Sequence, residues 1–168
     1  MADHCHIFWC CPIIQPYWLG VFKEMKSILG VSILVNKNSK IDAAFLDRDR
    51  EGRWVKIRFV FEGFEHRLLN IYAPNKEGNR VSFFQELNGV AKDCTIVMGD
   101  FNVKLCRLDV SDDCSFKCDP DFCDLWRTAH PLAREYSRVQ SCMGKVKRSR
   151  IDYCLVKKSQ LKIFNTVL

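Results

Sequence analysis

The first half of the chain alternates apolar and polar positions in a way that predicts three β-strands. The apolar run Gly30–Val35 contains β-branched residues and is typical of a strand buried on both faces. Every second residue from Val55 to Phe61 is apolar, which predicts a half-buried strand over Arg53–Phe61. The pair Glu62–Gly63 favours a tight hairpin turn into an antiparallel strand over Arg67–Tyr72.

The middle of the chain predicts a helix that covers a sheet. Asn79–Lys92 carries an apolar stripe at helical spacing. The stripe consists of Phe83, Phe84, Leu87, Val90 and Ala91. The apolar run Cys94–Met98 follows and predicts a buried strand that ends at Gly99.

The region after residue 118 predicts a short helix and two further strands. Asp119–Asp121 offers an N-cap, a proline at the first helical position and an acidic first turn. The inward positions of this helix would be Phe122, Leu125, Trp126 and Ala129. Tyr136–Cys142 and Ile151–Val156 predict strands joined by a basic turn over Gly144–Arg150. With 168 residues, the chain is expected to form one mixed α/β domain.

The first 27 residues show neither strand nor helix periodicity. They are interpreted as an unmatched leader, and residues 28–168 as the domain. Cys5–Phe22 has no charged residue, but it contains two prolines and is at the short limit for crossing a bilayer, so no membrane partner is expected. The chain does not open on a signal-peptide pattern, so its ten cysteines are expected to be reduced thiols in an intracellular protein.

Charge and cysteines add two local features. The net charge is +6, and Arg134–Lys162 alone holds nine basic and two acidic residues, whereas Asp109–Asp124 holds six aspartates. A basic run is usually a solvated face, but it also permits a nucleic-acid partner. Cys106, Cys114, Cys118 and Cys123 lie close in sequence without the paired spacing of a structural zinc site, so incidental thiols are favoured over zinc.

Three polar segments stand at predicted strand ends, where side chains can converge over a rigid sheet. They are Asn70–Asn75, Gly99–Asn102 and Arg148–Tyr153. On an extended backbone Asp100 and Asn102 would point the same way. A carboxylate there can orient a water or bind a hard cation, and an amide can hold a phosphate oxygen. Plain turn chemistry is the alternative.

The order of motifs NIYAPN, GDFN, DLWRTAHP and RSRIDYCLV resembles the endonuclease/exonuclease/phosphatase family, and within it the endonuclease of LINE-type retrotransposons. The agreement runs from about Gly30 to about Val156, roughly three quarters of the chain. The resemblance implies a four-layer α/β sandwich of two mixed sheets with outer helices, here as an incomplete copy. It also implies a Mg²⁺-dependent phosphodiesterase that acts on DNA, nuclear if functional.

The resemblance implies a role for particular residues at one end of the sheets. Tyr72 would bond the scissile phosphate, Asp100 would orient the attacking water, and Asn102 would hold a phosphate oxygen. Asp152 would orient a catalytic histidine. The expected nucleic-acid contacts are Asn75, which also supports the Tyr72 loop, together with Lys147, Arg148 and Arg150. Each has a simpler alternative, such as a core aromatic for Tyr72 or an ion pair of Asp152 with Arg148 or Arg150.

Two departures from the family pattern weaken the implied activity. The metal-binding glutamate is missing, because Glu24 lacks the strand and the flanking residues of that motif, and no histidine follows His130. The copy thus resembles one truncated at both ends and is expected to be catalytically impaired. A non-catalytic nucleic-acid-binding module and a non-functional fragment of a decayed element are the alternatives.

Overall fold

A computed structural model describes residues 22–25, 30–36, 41–109, 121–142 and 144–165 of the chain. The strands are β1 Phe22–Met25, β2 Ile33–Asn36, β3 Ala43–Arg48, β4 Trp54–Phe61, β5 Phe64–Tyr72, β6 Ile96–Asp100, β7 Phe122–Asp124, β8 Arg138–Cys142, β9 Lys145–Ser149 and β10 Asp152–Lys157. The helices are α1 Glu77–Ala91, α2 Leu125–Ala129 and α3 Leu161–Asn165.

The central element is a six-stranded mixed sheet in the order β3-β4-β5-β6-β10-β7. Strands β5 and β6 run parallel with α1 as their crossover, and the other neighbours are antiparallel. Two further sheets in the described ranges are two-stranded, β1-β2 and β8-β9. The α/β class predicted from the sequence is confirmed.

Apolar side chains cover both faces of the central sheet. On the α1 face, Leu69 and Ile71 of β5 pack in one cluster with Leu87 of α1. On the opposite face, called here the α3 face, Ile96 and Val156 pack with residues of α3. Because side chains alternate along a strand, each central strand contributes to both clusters. The sheet is therefore a rigid base for whatever lies at its ends.

His66 of β5 is a polar residue inside the α3 face. It is 1% exposed, and its ring lies 5.3 Å from the ring centroids of both Phe59 and Phe164. Neither ring nitrogen has a hydrogen-bond partner in the described part of the chain. Burial lowers the pKa of His66 below its ordinary value, although the backbone of Phe61 acts to raise it, so folding favours the neutral imidazole.

The hairpin between β4 and β5 agrees with the sequence. Phe61 pairs with Phe64 across a two-residue turn. The turn residues Glu62 and Gly63 have φ of 51° and 79°, as a type I′ turn requires. The helix predicted over Asn79–Lys92 is also found, as α1.

Two expectations about the start of the chain are wrong: that Glu24 lacks a strand, and that Gly30–Val35 is a strand buried on both faces. Residues 22–25 of the leader form β1, which pairs with β2 through backbone groups that need no side-chain periodicity. The strand predicted over Gly30–Val35 is shorter, and Leu34 is 36% exposed, because only β1 pairs with it in the part of the chain that the structure describes. Residues 1–21, with most of the uncharged run, lie outside that part. None of the described helices is long and apolar enough to cross a membrane.

Two elements in the second half also differ from prediction. The predicted basic turn Gly144–Arg150 is mostly β9, an exposed strand that pairs with β8 and therefore shows no apolar alternation. The helix predicted from Asp119–Asp121 begins later, at Leu125, because the Asp124 side chain accepts from the backbone N–H of Arg127 at 3.2 Å and caps it. Phe122 belongs to β7 instead. Asp119 and Pro120 lie outside the described residues.

Candidate functional site

Three predicted site residues lie side by side at one end of the central sheet. Tyr72, the last residue of β5, pairs in parallel register with Asp100, the last residue of β6. Asp152, the first residue of β10, pairs with Asp100 from the other side. Side chains alternate between the two faces along a strand. Met98 lies two residues before Asp100, Cys154 two residues after Asp152 and Leu68 four residues before Tyr72, and all three pack on the α3 face. The side chains of Tyr72, Asp100 and Asp152 therefore belong to that face as well. The row Tyr72–Asp100–Asp152 is therefore a continuous polar edge over three strands.

Gly99 allows β5 and β6 to approach closely beside this row. A Cβ on Gly99 would lie 2.1 Å from the Ile71 carbonyl oxygen and 2.8 Å from Asn70 Oδ1. Its φ of 126° lies in a region that other residues rarely adopt. The sequence predicted that the strand ends at Gly99. Gly99 instead lies inside β6, which continues to Asp100.

Asn102 joins the row through a turn and not along an extended strand. Its φ is 50°, so the chain turns after Phe101, and Asp100 and Asn102 do not share a strand direction. The backbone N–H of Asn102 donates to Asp100 Oδ1 at 2.8 Å, and its Nδ2 donates to the Ala73 carbonyl at 2.8 Å. Asn102 thus links the ends of β5 and β6, and one oxygen of Asp100 is held by a backbone donor.

Asp152 is the most perturbed group of the row. Its Oδ1 is buried without a hydrogen-bond partner among the described residues. Burial is the main cause that raises its pKa to about 7, and the charge of Asp100 adds to the rise, while a hydrogen bond from Ser137 opposes it. The described residues therefore do not supply hydrogen-bond donors to both oxygens of an ionised Asp152.

Arg150 belongs to an internal network and not to an exposed contact surface. It is 6% exposed. Its Nε donates to Asp109 Oδ1 at 2.9 Å, its Nη2 donates to Asp124, and its guanidinium stacks on the rings of Trp126 and Tyr153. The nucleic-acid contact predicted for Arg150 is therefore wrong, because its charge is committed to buried carboxylates. The predicted pairing with Asp152 is replaced by these two partners.

Asp109 is the centre of the same network. It is fully buried and also accepts from Arg127 Nη2 at 2.8 Å and from the Tyr153 hydroxyl at 3.2 Å. Burial raises the pKa of Asp109, but the charge of Arg150 and the hydrogen bonds from Arg150 and Arg127 outweigh it and lower the pKa overall. The Arg150 N–H also donates to the Asp109 carbonyl at 2.8 Å, which fixes the chain just before Asp152.

The other predicted contacts lie on exposed segments. Lys147 and Arg148 are exposed on β9, in a hairpin with β8 that also carries exposed Lys145. Asn75 is exposed in the loop after β5, where its carbonyl accepts from Arg80 Nη1 at 2.8 Å. The hairpin therefore exposes the side chains of Lys145, Lys147 and Arg148 on one short strand.

Sequence reasoning missed Arg53, Asp109 and Ser137. Arg53 lies just before β4 with its guanidinium 5.4 Å from the centroid of the Tyr72 ring. Its only sequence signal is its place at the start of an alternating strand. Asp109 and Ser137 gave none, because their partners are distant in sequence.

No group of three or more His, Cys, Asp or Glu side chains suited to a metal occurs within the described ranges. Glu24 lies in β1, with its backbone opposite Leu34. Cys114 and Cys118 of the cysteine cluster lie outside those ranges, while Cys106 and Cys123 are free thiols.

Comparison with known sequences identifies relatives. Residues 30–168 match the profile of the Endonuclease/Exonuclease/phosphatase family. A curated protein of Xenopus laevis, the "Transposon TX1 uncharacterized 149 kDa protein", is 28% identical over 116 residues, which cover 60% of this chain and 9% of that protein. The chain therefore spans less than a tenth of this relative.

Solved structures share the fold. The endonuclease domain of TRAS1, a telomere-specific non-LTR retrotransposon, superposes with a TM-score of 0.53 at 14% identity, over 78% of this chain and 62% of that one. TDP2 of D. rerio, complexed with a single-strand DNA product, gives 0.55 at 16% identity, over 82% and 61%. At these identities the likeness is one of fold, and it agrees with the fold class that the resemblance implied.

Proposed function

Because the chain belongs to the endonuclease/exonuclease/phosphatase family, we propose that it is a metal-dependent phosphodiesterase domain of retrotransposon origin that acts on DNA. The observation that carries this proposal is the row Tyr72–Asp100–Asp152, joined by Asn102, at one end of a rigid sheet. The transposon protein and the retrotransposon endonuclease among the relatives support the origin. Action on genomic DNA would place the protein in the nucleus.

The chain's own residues divide the work of phosphodiester hydrolysis. The Tyr72 hydroxyl, which has no hydrogen-bond partner in the described part of the chain, would donate to an oxygen of the scissile phosphate. Asp100 would orient the attacking water and accept its proton. Asn102 would hold a phosphate oxygen and keeps the Asp100 carboxylate in place through its backbone N–H. Asn75 would support the Tyr72 loop.

The carboxylates of Asp100 and Asp152 fit a hard divalent cation such as Mg²⁺. They are neighbours in register, and the buried Asp152 Oδ1 has no described partner. Magnesium is commonly held by one or two carboxylates together with substrate phosphates. When bound, the cation would neutralise charge that develops on the phosphate.

We further propose that turnover by these residues is weak. A histidine held by Asp152 would supply the proton donor, but the described partner of Asp152 is Ser137. His130 instead caps the end of α2 and lies 5.2 Å from the Trp126 ring. Loss of a positioned acid or base costs about 100-fold to 10,000-fold in rate.

Nicking of supercoiled plasmid DNA tests the enzymatic proposal. The wild-type chain is expected to nick slowly in Mg²⁺ and not in EDTA, and Asp100→Ala should abolish the nicking. Asp47→Ala is the matched control, because Asp47 is an exposed carboxylate of the edge strand β3. Equal nicking by wild type and Asp100→Ala would contradict the site, and rapid turnover would contradict the proposed impairment.

A nucleic-acid-binding module without catalysis is the second candidate, favoured by the exposed basic hairpin β8-β9. Phosphate contacts by Lys147 and Arg148 would give DNA binding that is salt-dependent and blind to sequence. The double change Lys147→Gln/Arg148→Gln should lower the slope of log affinity against log salt by about two. Binding with this dependence but no nicking would select the module over the enzyme, and absence of both would leave a decayed fragment.

A further inference from the structure

Arg53 extends the polar row by one more strand. It stands directly before β4, where the backbone N–H of Tyr72 donates to the Arg53 carbonyl at 2.8 Å. The next pair along the ladder is Trp54 with Ile71, whose side chains belong to the α1 face. Arg53 and Tyr72 therefore share the α3 face. Four neighbouring strands thus end in Arg53, Tyr72, Asp100 and Asp152 on one face of the sheet.

The Arg53 backbone is fixed by the turn that precedes β4. Its N–H donates to Asp49 Oδ2 at 3.0 Å, and the Asp49 N–H donates to the Trp54 carbonyl at 3.0 Å. Gly52 completes the turn with a φ of 70°, which glycine adopts without strain. From this fixed backbone the guanidinium lies over the Tyr72 ring, 5.4 Å from its centroid.

The charge of Arg53 is not neutralised by a carboxylate in the described part of the chain. Arg67, Arg127 and Arg150 each form ion pairs there, with Asp93 or Asp109, whereas no such pair involves Arg53. Its side chain is only half-buried. A half-buried guanidinium held against an aromatic ring is pre-organised to bind an anion through its planar fork of donors.

We propose that Arg53 is a phosphate-binding residue of the site, which holds a non-bridging oxygen of the nucleic-acid backbone beside the Tyr72 hydroxyl. The proposal rests on the proposed function and adds a residue to it. The other end of the row carries the carboxylates Asp100 and Asp152, which repel a phosphate unless a cation is present. Arg53 lies at the opposite end, so the row has a cationic and an anionic side. A phosphate would be oriented with one oxygen toward Arg53 and another toward the carboxylates and their cation.

DNA binding measured against salt concentration tests this role without requiring turnover. The probe is a short fluorescein-labelled DNA duplex, read by anisotropy at a fixed concentration of Ca²⁺, which takes oxygen ligands as Mg²⁺ does and supplies the cation that the carboxylates need beside a phosphate. Arg53→Gln is expected to weaken binding about tenfold and to lower the slope of log affinity against log salt by about one. Arg58→Gln is the matched control, because it removes the same charge from β4, the strand that Arg53 precedes, but on the α1 face, by alternation with Trp54. Arg58→Gln should leave the affinity and the salt slope unchanged.

The salt slope separates phosphate binding from a purely structural role, since packing against Tyr72 would change stability and not the number of phosphates contacted. An unchanged slope and affinity in folded Arg53→Gln would overturn the proposal. If that variant does not fold, Arg53→Lys decides, because it keeps the charge and loses the fork: a severalfold weaker affinity supports the contact, and an unchanged affinity overturns it. Absence of salt-dependent binding by the wild type would overturn the proposed function itself as well.

Discussion

Replacing Asp152 by asparagine should make the stability of this protein less dependent on pH. The pKa of Asp152 rises from its ordinary 3.8 to about 7 on folding, first through burial. Well below pH 3.8 the carboxyl is protonated in both the folded and the unfolded chain, and ionisation does not destabilise the fold. Between pH 4 and pH 7 only the unfolded chain ionises, so the wild-type free energy of unfolding falls as pH rises. Above pH 7 both states are ionised and the loss is constant.

The size of the effect follows from the two pKa values. A rise from 3.8 to about 7 corresponds to a loss of about 4 kcal/mol across this range. The amide introduced by Asp152→Asn cannot ionise, so the variant does not show that loss. The N–H groups of this amide cost about 1–3 kcal/mol if they stay unpaired, but this cost is the same at every pH. The free energy of unfolding of the variant minus that of the wild type should therefore increase by about 4 kcal/mol from pH 4 to pH 8.

Urea unfolding of both proteins at closely spaced pH values measures this difference. Groups common to both proteins, such as His66, cancel in the comparison. Asp42→Asn controls for the loss of one carboxylate at an exposed position of the chain. A difference between Asp152→Asn and wild type that does not change with pH would refute the reasoning, because it would mean that folding does not oppose ionisation of Asp152.

Three further changes test the packing around the site by urea or thermal unfolding. Gly99→Ala should lower the free energy of unfolding by more than about 2 kcal/mol, because an added Cβ has no room and the φ is positive. Gly89→Ala, in open space on α1, should be neutral or stabilising. Equal effects of the two changes would contradict the close approach of β5 and β6. Arg150→Met should cost about 3–5 kcal/mol, since it leaves Asp109 buried and under-paired, and a loss below about 1 kcal/mol would argue against the network. His66→Phe should gain stability relative to wild type as pH falls below 6.5, because the unfolded wild type then takes up a proton more readily than the folded one. A difference in free energy of unfolding between variant and wild type that stays constant from pH 7 to pH 5 would contradict the buried imidazole.

The parts of the fold that the sequence predicted depend on local patterns. The alternation from Val55 to Phe61, the turn at Glu62–Gly63 and the helical stripe of α1 are each set by residues close together in sequence. The convergence of Tyr72 with Asp100 was expected from the family resemblance, because the motifs end neighbouring strands.

The parts that could not be predicted depend on contacts between distant residues. Arg150 reads as part of a basic run, and nothing near it in sequence indicates that Asp109, 41 positions away, neutralises it in the interior. Strand β9 is exposed, so no burial imposes the alternation by which a strand is recognised. The place of Arg53 over Tyr72 follows from strand pairing and has no motif.

Paramagnetic broadening by Mn²⁺ tests most directly the claim that the row at the end of the sheet is a metal-dependent phosphodiester site. Mn²⁺ takes the oxygen ligands that suit Mg²⁺, and its effect on backbone amide signals in NMR spectra reports where it binds, whether or not the chain turns over DNA. The account predicts that substoichiometric Mn²⁺, with a short DNA duplex present, broadens the signals of Tyr72, Asp100 and Asp152 first, and that Asp100→Ala removes this effect. Broadening that instead begins in the aspartate-rich segment Asp109–Asp124, or that is uniform over the chain, would contradict it.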